Sequence, residues 1–67
     1  MKNLQEYLYK NVIITDINGA EHSGYADFYE SEYDSGYDEP SIGITPEGKK
    51  TGIEFPQSDI KSIKIID

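Results

Sequence analysis

The chain contains no cysteine, no tryptophan and no arginine, a single histidine, and only six basic residues against thirteen acidic ones. Without cysteine, neither a disulfide framework nor a thiolate zinc site is available, and no redox compartment can be inferred. One histidine, His22, excludes a histidine-based metal pair. The longest apolar runs, Val12-Ile13-Ile14 and Ile65-Ile66, fall far short of the roughly 20 residues a membrane helix needs. The N-terminus lacks the apolar stretch of a signal peptide, so the expected location is cytoplasmic. A formal charge of −7 repels phosphate backbones and anionic headgroups.

What is present is short and polarised. The 67 residues read as one domain, which buries about 60% of the surface its unfolded chain exposes and leaves roughly 3–5 kcal/mol of stability. That leaves no room for a deep active-site cavity. From Glu21 to Glu39 there are seven carboxylates and no lysine, whereas Lys49, Lys50, Lys61 and Lys64 lie in the last third. An acidic stretch poor in aromatics reads as disorder. This one carries Tyr25, Phe28, Tyr29, Tyr33 and Tyr37, rings able to bury apolar area, and order through at least part of it is expected.

Asn3 with Glu6 three positions later resembles a capping box, and Leu4, Tyr7 and Leu8 recur at helical spacing. A helix over residues 3–9 follows, with Asn11 as a left-handed stop. Two turns are unstable alone, so the Leu4/Tyr7/Leu8 face should close one end of something else. Residues 12–17 are β-branched nearly throughout, and Asn18-Gly19 is a strong hairpin signal, so strands over 12–17 and 20–29 should pair. A two-residue turn would set Asp16 against Glu21, a like-charge pair that favours a slightly longer loop. Gly24 inside the second strand suggests a bulge or sharp bend. Residues 31–40 read as a long acidic loop. The tyrosines at 25, 29, 33 and 37 also admit a rival helix over Ala26 to Ser35. Ile42 and Ile44 mark a third strand, Pro46-Glu47-Gly48 a turn, Ile53 and Phe55 a fourth strand. Pro56 to Asp59 suits a 3₁₀ turn, before a last strand carrying Ile60, Ile63, Ile65 and Ile66. The expected core is Leu4, Leu8, Val12, Ile14, Phe28, Ile42, Ile44, Ile53, Phe55, Ile60, Ile63 and Ile65.

The fold class is thus all-β with a short N-terminal α-helix, and this order resembles the five-stranded small barrel of Sm-like (LSM) and SH3-like domains. Val12-x-Ile14, Gly19, Gly24 and Asp27 are similar to the first half of the Sm motif. The whole chain resembles short uncharacterised Sm-like proteins of Gram-positive bacteria, whose ends read much like Val12 to Gly19 and Ser58 to Ile63. The resemblance rests on turn and core chemistry, so it implies a fold more than an activity. Sm proteins that bind RNA carry an Asn soon after the acidic residue and an Arg-Gly or similar pair near the end. Asp27-Phe28-Tyr29-Glu30 has no Asn and Ile53-Glu54-Phe55 no Arg, so RNA binding is not carried over.

No motif carries chemistry. Ser23, His22 and Asp27 lie too close along one strand for a catalytic triad, and His22 reads as an exposed strand residue. Asp34, Asp38 and Glu39 around Gly36 lack the spacing and final Glu of a calcium loop. No phosphate loop, nucleophile elbow or cofactor motif occurs, so a non-enzymatic protein without a cofactor is expected. The favoured function is a protein-interaction module that uses an acidic, tyrosine-bearing surface or an exposed strand edge to dock a basic partner. Tyr29, Tyr33, Asp34, Tyr37, Asp38 and Glu39 are its candidate partner-binding residues. An acidic nucleic-acid mimic that inhibits a DNA- or RNA-binding protein is the alternative, and a degenerate Sm-like RNA binder the third. Lys50 and Gly52 in the fourth strand, and Lys61 and Lys64 in the fifth, blunt strand edges, which favours a monomer or weak dimer over a ring. The charge predicts affinity for RNA or DNA weaker than ~10⁻⁴ M at physiological salt; a micromolar complex in an oligonucleotide titration would contradict it.

Overall fold

The computed structural model describes residues 3–66. A 3₁₀ turn, Leu4–Tyr7, precedes β1 (Asn11–Asp16), β2 (Glu21–Glu30), β3 (Ser41–Thr45) and β4 (Ile53–Pro56). A second 3₁₀ turn, Gln57–Asp59, leads into β5 (Ile60–Ile65). The strands form one antiparallel sheet in the order β4-β3-β2-β1-β5, open, with β4 and β5 at its edges. On a flat sheet those edges would lie about 19 Å apart, at roughly 4.8 Å per strand spacing. The three residues of the second turn rise only about 2 Å each. The sheet must therefore curl until its edges approach, although they do not pair.

The concave face holds the core: Val12 and Ile14 from β1, Ala26 from β2, Ile42 and Ile44 from β3, Phe55 from β4 and Ile60 from β5. Leu4 and Tyr7 cover it, and Tyr29, Ile63 and Ile65 pack at its margin. Three expected core residues lie outside: Phe28, Ile53 and Leu8. Ala26 pairs with Ile44 but the next pair is Phe28 with Gly43, so Asp27 is an extra residue in β2. Such a bulge moves every later side chain to the opposite face. Phe28 is turned outward, 44% exposed, and Tyr29 takes the inward place. Ile53, the first residue of edge strand β4, stands opposite buried Ile44 yet stays 40% exposed, because no further strand lies beyond it.

The N-terminal segment also departs from expectation. Asn3 does cap it, its Oδ1 accepting from the Gln5 amide at 3.0 Å, but the result is one 3₁₀ turn rather than an α-helix over 3–9. The Tyr9 amide is drawn instead to the Ala26 carbonyl at 2.6 Å, and Ala26 donates to Lys10. These bonds halt the helix after Tyr7, and Tyr9, with a φ of 66°, is the left-handed stop in place of Asn11. Leu8 is left half-buried, and Tyr7 is the ring that enters the core.

The β1–β2 hairpin avoids the like-charge pair. Asp16 lies opposite Ala20, its amide donating to the Ala20 carbonyl at 2.9 Å, and Glu21 pairs with Thr15. The three-residue loop closes through the Gly19 amide on the Asp16 carbonyl at 2.9 Å, with Gly19 at φ 87°. Gly24 answers to a different constraint. A Cβ there would lie 2.7 Å from the Thr45 carbonyl oxygen, a backbone atom that cannot swing aside. Gly24→Ala should therefore cost about 1–3 kcal/mol, a large share of the stability of so small a domain, and urea denaturation would read it as a lowered midpoint.

Candidate functional site

The loop over residues 31–40 leaves the end of β2 and returns as β3. It is structured by its own short polar side chains, as Ser and Asp favour in turns. The Ser31 carbonyl accepts from the Asp34 and Ser35 amides at 3.1 and 3.0 Å, and Ser31 Oγ donates to Asp34 Oδ2 at 3.2 Å. One turn therefore forms, and the rival helix through the tyrosines does not. Ser35 Oγ donates to the Glu39 carbonyl at 2.6 Å and accepts from the Tyr37 amide at 3.1 Å. Gly36 and Asp38 take left-handed backbone, φ 82° and 60°, which Asp tolerates better than most residues.

The far end of the loop is fastened to the second 3₁₀ turn. Glu39 Oε1 accepts from the Ser58 amide at 2.5 Å, Oε2 from Ser58 Oγ at 2.9 Å, and the Pro40 carbonyl from the Gln57 amide at 2.9 Å. A carboxylate taking two donors of one residue fixes the loop to the segment that joins the sheet edges.

The six candidate residues thus separate. Tyr33, 88% exposed, and Tyr37, 46% exposed, lie outside with Asp34 and Asp38. Tyr29, in β2, is half-buried against the core, and Glu39 is occupied by Ser58 and fastens the loop. Glu32 adds a further exposed carboxylate, and no lysine or arginine lies in the loop. Among the described residues no group of three or more His, Cys, Asp or Glu side chains is arranged to hold a metal ion. What the loop offers is two ring surfaces and hydrogen-bond acceptors of negative charge.

Histidine 22 is not the exposed strand residue expected of it. It pairs with buried Ile14 in the sheet, so its ring points to the concave side and tilts against Phe55 at 5.1 Å between centroids. Its Nε2 lies 2.8 Å from Asp16 Oδ2, while Asp16 Oδ1 accepts from the Asn18 and Ala20 amides at 2.9 and 3.0 Å. Strand register alone would have found this pair, because the longer hairpin loop brings position 22 inward.

No protein-family model, curated protein or solved structure matches the chain. No helix among the described residues is long and apolar enough to cross a membrane.

The hydrogen bond to His22, then the Ala20 and Asn18 amides and the histidine's charge, hold the Asp16 carboxyl below its ordinary value of 3.8 against a smaller opposing effect of burial. A carboxyl lowered by folding contributes its stability in full above the unfolded value and loses it as pH falls through the folded one. The stability difference between the protein and Asp16→Asn should accordingly shrink as pH falls through that range. Denaturation midpoints across about pH 2 to 5 would test this, and a gap that widens toward acid within it would refute it.

Proposed function

We propose that this protein is a non-catalytic interaction module, an Sm-like or SH3-like small barrel in the cytoplasm, that docks a basic protein through Tyr33, Tyr37, Asp34 and Asp38. The observation that carries the reading is the contrast between the loop's fastening and its rings. Glu39 and Pro40 are tied to Ser58 and Gln57, yet the Tyr33 ring is 88% exposed. Had the loop tyrosines served to fold the loop onto the sheet, they would be covered, as Tyr29 of β2 is where it packs against the core. A loop already ordered loses little further entropy on binding, and tyrosine brings a large contact area with few rotatable bonds. The neighbouring carboxylates steer a positively charged partner and select against acidic ones. The reading takes the molecule as a monomer or weak dimer.

The Tyr33→Ser/Tyr37→Ser double variant tests it. Thermal stability should be nearly unchanged, while affinity for a partner captured on the immobilised protein falls by about 2 kcal/mol or more, as for anchor residues. Unfolding of the variant, or capture that survives it, would overturn the reading. Capture abolished by modest salt alone would turn it toward a nucleic-acid mimic.

A further inference from the structure

The convex face of β2, β3 and β4 carries a feature that neither the core nor the loop uses. Register sets Phe28, Gly43 and Glu54 side by side in one row across the sheet. Along β3 the outward positions are Ser41, Gly43 and Thr45, all small. Phe28 leans over the middle one so closely that a Cβ on Gly43 would lie 3.1 Å from the Phe28 Cβ and 3.2 Å from its ring. A shallow groove of about 270 Å³ results, with the 44% exposed Phe28 as its apolar wall, Ile53 at its sheet-edge end, and Asp27, Thr45 and Glu54 at its rim. That volume is below the roughly 300 Å³ at which small-molecule sites begin. It suits one side chain.

The two rim carboxylates are held in place by neutral partners. Thr45 Oγ1 donates to Asp27 Oδ2 at 2.8 Å, and the fully buried Ser41 donates through Oγ to Glu54 Oε2 at 2.6 Å. Each bond engages one oxygen and orients the other. Among the described residues neither carboxylate has a basic group within ion-pairing distance, and Lys49 and Lys50, in the connection between β3 and β4, do not line the groove. An exposed aromatic ring between two oriented, uncompensated carboxylates calls for a cation on an apolar stem.

We infer that this groove binds an arginine side chain presented by a basic peptide segment. Its methylene stem lies in the groove, and its planar guanidinium stacks on the Phe28 ring while its forked N–H donors reach Asp27 and Glu54. A lysine ammonium, a compact and strongly hydrated point charge, fits the same rim less well because it has neither the plane nor the fork. The inference stands on the sheet register and not on the tyrosine loop, so either can fail alone.

The test is an amide chemical-shift titration of ¹⁵N-labelled protein with the acetylated, amidated tripeptides Ala-Arg-Ala and Ala-Lys-Ala at matched ionic strength. The arginine peptide should give saturable shifts centred on Asp27, Phe28, Gly43 and Glu54, with affinity several-fold above that of the lysine peptide. Asp27→Asn/Glu54→Gln, which keeps the size of both side chains, should weaken it about tenfold, the loss of one charge-assisted contact or more. Phe28→Leu, which keeps an apolar wall but removes the ring, should abolish the preference for arginine over lysine. Shifts of equal size for both peptides, shifts centred on Tyr33 and Tyr37, or an arginine affinity unchanged by both variants would overturn the inference; the second of these outcomes would leave the loop reading standing.

Discussion

One extra residue in β2 sets the character of both faces of the sheet. Had Ala26 and Phe28 kept the two-residue alternation of a regular strand, Phe28 would enter the core and Tyr29 would face solvent. The bulge at Asp27 reverses this. It seats Tyr29 at the core margin and frees the Phe28 ring to cover Gly43. It also aims the Asp27 carboxylate at the Thr45 hydroxyl. The inner face keeps small Ala26 against Ile44, which lets the sheet curl tightly, since a larger side chain at the centre of a concave surface would hold its neighbours apart.

That curl is the condition on which the rest is assembled. The second 3₁₀ turn reaches from one sheet edge to the other only because the edges are drawn together, and Glu39 finds Ser58 because that turn passes beneath the end of the loop. The same closure brings Phe55 of β4 against His22 of β2, two strands away. In a chain without disulfides these are contacts between residues far apart in sequence, and each helps to hold the sheet in one curvature. Leu4 and Tyr7 then need only a single turn to cover the core.

The acidic character is used unevenly. Asp16 and Glu39 are structural acceptors whose oxygens are filled by amides, a hydroxyl and a histidine. Asp27 and Glu54 are each half filled by a hydroxyl. In the loop, and again around Phe28, carboxylates lie beside rings that the fold leaves uncovered. A net charge of one sign is tolerable in so small a domain because the folded chain distributes it among neutral donors and solvent and does not bury it unpaired.

The sequence by itself determined the strand count and order, the Asn18-Gly19 hairpin, the loop over 31–40, the turn after Pro56 and most of the core, including Val12, Ile14, Ile42, Ile44, Phe55 and Ile60. These follow from local rules: β-branched alternation, residues that accept positive φ, and proline where a ladder must stop. Exposure of Tyr33 was not legible, because a ring in a run without alternation can equally fold back onto the sheet. Only the tertiary structure decided the rest. No local signal places a bulge at Asp27 and not at Gly24, because the choice belongs to the pairing with β3 and to the approach of Thr45 to Gly24. Helix pattern over residues 3–9 gave way to one 3₁₀ turn because Ala26, far along the chain, claims the Tyr9 amide. His22 and Glu39 likewise acquired partners, Phe55 and Ser58, that only the curled sheet brings within reach. Position along a strand is local information, whereas the face a side chain occupies depends on the register with its neighbour, and one inserted residue is enough to exchange the two faces.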